Sequence, residues 1–453
     1  MKLLLYINTI KYLKISQIFY RILYLFYGTS IKSKNKFSGI ENKIPLFTEC
    51  AKRKISLVSE NELNLLGKIH NIDEVGWNFS ENDNIGKLWR YNQHYFDDLN
   101  AYLAEDRNAW HNKLIDRWIE ENKPGQTIGW DPYPSSIRAV NWIKWHLSRY
   151  GRLSDHALLS LFNQGLYIEK KLEYHILGNH LFSNAKALIY LGSLFSGKIA
   201  ERWLSKGLKI LKNELVVQLN SDGSHFELSP MYHSIFYEDI LDIINLSKTF
   251  PKKLEFIIHI LEAKVPIIDQ WLFSMLHPDG DVSCFNDSAN NVAANYNDLK
   301  DYALRLGINL IQKETNLTKK IVYKNHYDSG YIAISESDIK LIIDAGKLGP
   351  EYLLAHAHAD TLSFEMSYQA QRVFVNSGTS TYEFESFKNV KKKFIGNYKN
   401  FREFERSTMA HNTVYIDNKS SSEVWNSFRV ARRAHILRSE IKEIGNILHV
   451  EAS

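Results

Sequence analysis

Two histidines and an aspartate near residue 360 carry side chains that can bind a metal ion or move protons. His356, His358 and Asp360 occupy alternate positions, so on a β-strand the two histidines would face the same side. A dinuclear zinc site of hydrolases uses this spacing but continues with a histidine directly after the aspartate, and position 361 is Thr. The spacing therefore indicates metal or acid–base chemistry and disfavours that class of hydrolase.

Acidic residues suggest a second chemistry, the hydrolysis of a glycosidic bond. Such hydrolysis needs two carboxyl groups placed on either side of the bond. The candidates in the sequence are Asp222, Glu227, Asp279 and Asp287. A glycoside hydrolase is therefore an alternative that the residues leave open.

The spacing of apolar residues changes near residue 325. From about 86 to 320 these residues recur every three or four positions, which predicts helices, and further on they alternate, which predicts antiparallel strands. The clearest helical segments are 135–150, 155–174, 185–194, 199–219 and 237–246. The clearest strands are 331–335, 339–344, 362–366, 372–375 and 413–416.

Helices followed by strands predict a multidomain α+β protein with an all-α and an all-β domain. We expect an N-terminal helix and wrapping segment over 1–85, a helical domain over 86–322 and an antiparallel β domain over 323–453. The last residues still read as a strand. A β-sandwich begun at 323 would be incomplete there, so we expect a sequence truncated at its C-terminus.

The composition excludes some classes of partner. Lys and Arg number 56 against 51 Asp and Glu, a formal charge of +5, and no dense basic stripe or known motif predicts nucleic-acid binding. The 10 Trp, 25 Tyr and 23 Phe fit a carbohydrate protein, although such residues also fill cores. Cys50 and Cys284 are far apart and lack metal-ligand spacing, which excludes a disulfide framework.

The first 27 residues are apolar but are interrupted by Lys11, Lys14 and Arg21. They form neither a clean signal peptide nor an uninterrupted membrane span. We expect an amphipathic helix that docks on the body of the protein, with peripheral contact to a membrane surface as the alternative. The missing export signal favours the cytoplasm over the periplasm.

Several short motifs follow one another along the chain, and their order is more specific than any one of them. They are LWRYNQHYF at 88–96, DPYPSSIR at 131–138, GNHLFSN at 178–184, DGSHFE at 222–227, PMYH at 230–233, FNDS at 285–288, HAHADTLSFE at 356–365 and RSTMAHNT at 406–413. This ordered set resembles the heparinase II/III-like family of polysaccharide lyases over roughly residues 85 to 435.

The resemblance implies an incomplete (α/α) toroid followed by an antiparallel β-sandwich, with the active site between them. It also implies β-elimination on an anionic polysaccharide that contains uronic acid, in which the C5 proton is removed and the oxygen at C4 leaves. Members of the family also occur beside functions of surface-polysaccharide biosynthesis. A non-catalytic glycan-binding or assembly protein is therefore the main alternative.

The resemblance implies three catalytic residues. Asn179 matches the residue that neutralises the substrate carboxylate, and its amide can do so without titrating; taken alone, it would be read as a helix-boundary residue. Tyr232, 53 positions later, matches a base whose hydroxyl then returns the proton to the C4 oxygen. His356 matches the second acid–base group.

Four further residues are expected to bind substrate: His180, His225, Glu227 and Arg406. The alternative is packing for His180, packing or helix capping for His225 and Glu227, and pairing with a local carboxylate for Arg406. Another active-site tyrosine is expected in a stretch that holds both Tyr382 and Tyr398. The alignment does not distinguish these two, so neither receives a role.

The resemblance also implies one structural Zn²⁺, held by His358, His411 and an aspartate. The position of that aspartate is Asn376 here. A neutral amide oxygen is a poorer zinc ligand than a carboxylate, so we expect zinc to be weakly bound or absent, or its site to be completed by Asp360.

Overall fold

The computed structural model describes residues 2–26, 28, 37, 39–41, 47–78, 85–310, 321–383, 398, 400–445 and 447–453. Helices dominate up to residue 305 and antiparallel strands follow, as the two periodicities predicted. Among the described helices, none combines the length and the apolar character needed to cross a membrane.

The helices differ in how much of their surface is buried. The α-helices are α1 Lys2–Ile10, α2 Ile15–Leu23, α3 Ile72–Val75, α4 Lys87–Gln93, α5 Asn108–Glu121, α6 Pro132–Leu147, α7 Asp155–Lys170, α8 Gly178–Leu194, α9 Lys198–Gln218, α10 Pro230–Thr249, α11 Pro251–Glu262, α12 Val265–Ser274, α13 Tyr296–Arg305 and α14 Phe401–Glu405. Helices α8 and α10 are buried on nearly all sides. Helices α9 and α11 each bury one apolar face and expose the opposite face to solvent, as expected of helices on the outside of a domain.

Two helices begin about one turn or more before the predicted segments. Helix α8 starts at Gly178 rather than 185, and α10 starts at Pro230 rather than 237. Apolar periodicity could not locate these starts because the first turns carry polar residues. These turns hold two of the three residues expected to be catalytic.

The strands form several antiparallel sheets. They are β1 Leu57–Ser59, β2 Glu62–Leu65, β3 Lys68–Asn71, β4 Ile321–His326, β5 Tyr331–Glu336, β6 Ile339–Asp344, β7 Phe364–Tyr368, β8 Gln371–Phe374, β9 Val424–Trp425, β10 Arg429–Val430, β11 Ser439–Ile444 and β12 Ile447–Ala452. Strands β4 to β8 pair in chain order as a five-stranded meander. Their register pairs Tyr331 with Asp344 and Ile343 with Phe364.

One prediction of secondary structure was wrong: residues 413–416 are irregular, not a strand. Residues 356–360 lie in a loop between β6 and β7, so the alternate spacing of the histidines is not that of a strand. The segment expected to wrap the body contains the β1–β3 sheet, whose Leu57 and Leu63 are part of the same core as the helices. Tertiary contacts override local alternation in such short segments.

A small second core joins the helical part to the five-stranded sheet. Trp271 and Phe285 from the helical part pack with Tyr331 and Ile342 from β5 and β6. The Tyr331 hydroxyl donates to the carbonyl oxygen of Leu228 (2.9 Å). The junction is therefore fixed by packing and by a buried hydrogen bond, and the candidate site lies beside it.

Candidate active site

Tyr232 lies in the first turn of α10, where its position is fixed by the helix cap. Ser229 accepts the backbone N–H of Tyr232 (3.3 Å), and Pro230 takes the first helical position, where no N–H is needed. The Ser229 hydroxyl also donates to the carbonyl oxygen of Asp287 (2.8 Å). The cap thus ties Tyr232 to the segment that carries Asp287.

Asn179 lies in the first turn of α8, next to the carboxyl group of Glu227. Gly178 has a φ of 55°, and a Cβ there would come within 2.5 Å of Oε1 of Glu227. Only glycine satisfies both conditions without strain. The first N–H groups of a helix lack partners within it, and the N–H of Asn179 favours the ionised form of Glu227.

Strained backbone flanks two acidic residues of the site. Leu228 directly follows Glu227 and Asn286 directly precedes Asp287, with φ angles of 57° and 54°. Such left-handed conformations cost about 1–3 kcal/mol each and persist where the surroundings enforce them. Here Leu228 is packed in the junction core, and the Asn286 amide donates to its carbonyl oxygen (2.9 Å).

Asp287 is a buried carboxylate that accepts hydrogen bonds from three side chains. Nδ1 of His356 is 2.9 Å from Oδ2, Nε2 of His358 is 2.8 Å from Oδ1, and Arg402 contacts both oxygens. Burial alone would raise the pKa of Asp287, but Arg402 and the two histidines hold it well below its usual value. Asp287 is therefore ionised, and each histidine donates the proton that faces it.

Because Nδ1 of His356 faces Asp287, Nε2 is the ring nitrogen that can accept a proton from elsewhere. The His356 ring lies against the ring of Tyr232, with centroids 3.9 Å apart. The hydroxyl of Tyr232 is 3.0 Å from that of Tyr382. Burial raises the pKa of Tyr232 well above its usual value, and Tyr382 acts in the same direction. A proton acceptor and a protonated phenol therefore lie side by side.

Glu227 is a buried carboxyl group next to this pair. It is 3% exposed, and neither of its oxygens has a side-chain hydrogen-bond partner among the described residues. Its Oε2 is 3.8 Å from Nε2 of His356. Burial raises the pKa of Glu227, and the nearby histidines oppose this shift only in part. Such a group is available to a ligand as a hydrogen-bond donor when protonated.

His180 is half-buried at the same end of α8. Its Nδ1 is 2.9 Å from Oε1 of Glu173, and its ring lies 4.4 Å from that of Tyr133. Burial alone would lower the pKa of His180, but the Glu173 carboxylate outweighs burial and raises it. His180 can therefore bring positive charge to the cleft.

Two residues expected to bind substrate lie elsewhere. His225 is enclosed between Phe226 and Phe236 and bonds to Gln218 (3.1 Å). Arg406 is buried and donates to the carbonyl oxygens of residues 357, 426 and 429, so it supports the loop that carries the histidines. Packing surrounds His225, and Arg406 contacts backbone carbonyl oxygens, so substrate binding by either residue stays a prediction.

Sequence reasoning missed or left open three residues of the site. Asp287 was considered only as one acid of a hydrolase, Arg402 was not considered, and Tyr382 received no role. Tyr398 packs on Phe404 instead (5.7 Å between centroids). The FNDS motif was the available signal for Asp287, whereas nothing local to Arg402 indicates that it pairs with a residue 115 positions earlier.

The expected zinc ligands lie close together, but their donor set is incomplete. Nδ1 of His358 and Nε2 of His411 are 3.3 Å apart, about the separation of two nitrogens on a tetrahedral zinc at roughly 2.0–2.1 Å. Burial lowers the pKa of both histidines, which keeps them neutral. The oxygen of Asn376 accepts the N–H of Asn412 (3.3 Å). Within the described part of the chain, no three His, Cys, Asp or Glu residues form a metal site.

Fold and site together define a class of protein: a helical domain joined to an antiparallel β domain, with a cluster of buried titratable groups at their junction. A family profile described as heparinase II/III N-terminus matches residues 70–305, and one described as heparinase II/III-like, C-terminal, matches residues 323–452. The chain therefore belongs to the heparinase II/III family, as the ordered motifs indicated.

Known relatives agree with this assignment. A heparin-sulfate lyase of Bacteroides stercoris is 25% identical over 259 residues, which are 54% of this chain and 37% of that protein. A heparin-sulfate lyase of Bacteroides thetaiotaomicron is 28% identical over 203 residues, 38% of this chain and 27% of that protein. The chain thus spans about a third of the length of these curated relatives.

A solved structure confirms the predicted fold. The crystal structure of heparinase III covers 85% of this chain, and the chain covers 63% of that structure, with a TM-score of 0.59 and 20% identity. The predicted order of a helical toroid followed by a β-sandwich is therefore correct.

Proposed function

We propose that this chain is a polysaccharide lyase that cleaves an anionic, uronate-containing polysaccharide by β-elimination. The observation that carries the proposal is the pairing of His356 with Tyr232. One ring presents a free nitrogen lone pair and the other a protonated hydroxyl, and the rings lie 3.9 Å apart. Elimination needs a base near C5 and an acid near the C4 oxygen, and this pair supplies both.

We assign the base to His356 and the acid to Tyr232. Asp287 holds the Nδ1 proton of His356, so Nε2 is the atom that can accept the C5 proton. The raised pKa of Tyr232 keeps its phenol protonated until the leaving oxygen at C4 takes the proton. The family resemblance suggested Tyr232 as both base and acid; this assignment moves the base role to His356, because the burial of Tyr232 disfavours its phenolate.

The substrate carboxylate must be neutralised while charge develops at C5. Asn179 offers its side-chain amide, and Glu227 offers a hydrogen bond in the protonated form that burial favours. Both groups lie at the N-terminus of α8, where the helix dipole also favours an anion. His180 adds a positive charge, which suits a polyanionic substrate.

A spectroscopic assay tests the proposal directly. Elimination creates a C4–C5 double bond that absorbs ultraviolet light, whereas hydrolysis does not. We expect absorbance to rise with at least one member of a panel of uronate polymers. Heparan-type polymers come first because the relatives are named heparin-sulfate lyases.

Two other outcomes would contradict the proposal. New reducing ends without absorbance would indicate a glycoside hydrolase. Tight binding across the panel without any product would indicate the non-catalytic glycan-binding alternative. Catalysis requires no bound metal in this proposal, and a zinc ion at His358 and His411 is proposed only as a structural brace.

A further inference from the structure

The two N-terminal helices lie against both the β domain and the toroid. On α1, the ring of Tyr6 meets that of Trp425 at 4.9 Å, and Nε1 of Trp425 donates to Thr9 (3.0 Å). On α2, the ring of Tyr20 stacks on that of Tyr174 at 4.7 Å. One face of each helix is therefore docked, as the sequence favoured.

The opposite face of both helices is apolar and exposed. Its residues recur at three- and four-residue intervals and are 40–86% exposed: Leu3, Leu4, Ile7, Ile10, Ile15, Ile18, Phe19, Ile22, Leu25 and Phe26. A stripe of this kind normally faces a core. A contiguous exposed apolar surface marks a site of interaction with a partner or a membrane. We call these ten residues the N-terminal apolar face.

The two helices and the turn between them carry exposed positive charge at Lys11, Lys14 and Arg21. The first 40 residues of the sequence hold seven Lys and Arg and no Asp or Glu. From the body of the protein, the charge of Glu214 acts on Lys14 and that of Glu351 acts on Arg433. Arg433 lies over the ring of Tyr12 at 3.5 Å, so the body of the protein adds a cation at the edge of the face.

We propose that the N-terminal apolar face binds the surface of an anionic membrane. Apolar side chains would enter the boundary between headgroups and acyl chains while Lys and Arg meet anionic headgroups, the arrangement used by interfacial amphipathic helices. A second copy of the chain fits less well, because a twofold contact would bring these two positively charged segments together. Charge complementarity thus selects an anionic lipid surface as the occupant.

Co-sedimentation of the full chain with vesicles tests this inference. We expect binding to phosphatidylcholine vesicles that contain phosphatidylglycerol to exceed binding to pure phosphatidylcholine by about tenfold or more, and to weaken at high salt. An Ile15→Asp/Ile22→Asp variant should lose binding to both, and Lys11→Glu/Arg21→Glu should lose the preference for anionic vesicles. A Val414→Asp/Ile416→Asp variant, changed at exposed residues far along the chain, is the matched control and should bind normally.

Several results would overturn the inference. These are no binding to anionic vesicles, equal binding to neutral ones, or an equal loss in the Val414/Ile416 control. A dimer seen by light scattering and abolished by Ile15→Asp/Ile22→Asp would assign the face to a second copy instead. Circular dichroism melting of each variant checks folding. Vesicle binding needs no turnover, so its failure is distinguishable from failure of the proposed lyase activity.

Discussion

His356 and His358 are two residues apart and donate to the same carboxylate, yet their surroundings differ. On one side of Asp287, His356 faces Tyr232 and the buried carboxyl of Glu227. On the other side, His358 is fully buried and faces His411. We call these the cleft side and the buried side.

The difference shows that the Asp287 carboxylate can orient one histidine toward titratable groups and another toward a candidate metal site. The cleft side holds groups whose protonation states differ, which is the requirement for moving protons. The buried side holds two neutral imidazoles and the amide of Asn376, where the family resemblance implies an aspartate. We therefore propose that chemistry on the cleft side does not depend on a metal on the buried side, and the first and last of the following predictions test this separation.

Replacing Tyr232 by Phe should have the largest effect on activity. The phenyl ring keeps the packing against His356 but removes the proton donor, so we expect turnover to fall about 10²–10⁴-fold. The measurement is the initial rate of ultraviolet absorbance increase, with Tyr150→Phe at a half-exposed position as the control. Near-normal turnover in a folded Tyr232→Phe protein would remove Tyr232 from the mechanism.

The Tyr232→Phe variant also tests which residue is the acid and which is the base. If Tyr232 is the acid, its loss should matter much less for a substrate whose C4 leaving group needs no protonation. A His356→Gln variant should remain impaired on that substrate, because the C5 proton must still be removed. Equal impairment of both variants on both substrates would contradict the assigned roles.

Replacing Asn179 by Ala should lower turnover by about 10²–10³-fold, the usual loss when one donor to a developing anion is removed. The pH optimum should stay in place because an amide does not titrate in this range. The pH–rate profile of the variant measures both effects, and Asn112→Ala on the exposed face of α5 is the control. A large shift of the optimum with little loss of rate would indicate a structural role.

The charge on His180 should make substrate binding depend on pH. Glu173 raises the pKa of His180, so the positive charge is present below that pKa and is lost as the pH rises through it. We expect the Kd for an anionic oligosaccharide to increase over this rise, above about pH 6.5. In Glu173→Gln the increase should come at lower pH, and in His180→Gln it should disappear. An unchanged profile in Glu173→Gln would exclude His180 as the titrating group.

Changes in zinc binding on the buried side should have the smallest effect on activity. We expect purified protein to hold less than one equivalent of zinc and to lose it to a chelator, because Asn376 lacks the charge of an aspartate. Asn376→Asp should raise zinc affinity with little change in turnover. Elemental analysis before and after chelation is the measurement. A full equivalent that survives chelation would show that another residue completes the site.

The sequence predicted the family and the order of a helical and a β domain. These predictions succeeded because motifs and apolar periodicities are local properties of the chain. Positions 179, 232 and 356 could be named from their motifs alone. The structure then places Asn179 and Tyr232 at the starts of two buried helices, one turn or more before the predicted segments began.

Only the tertiary structure determined the long-range contacts and the pKa shifts of the site. The pairing of Arg402 with Asp287 and the contact of Tyr382 with Tyr232 join residues 115 and 150 positions apart. The raised pKa of Glu227 depends on its burial. Burial and long-range charge set pKa values, and neither can be read from neighbours in the chain. For the same reason His225 and Arg406, plausible from their motifs, are enclosed by packing instead. The sequence therefore named candidate residues through its motifs, and the fold determined which residues meet and how their surroundings shift their pKa values.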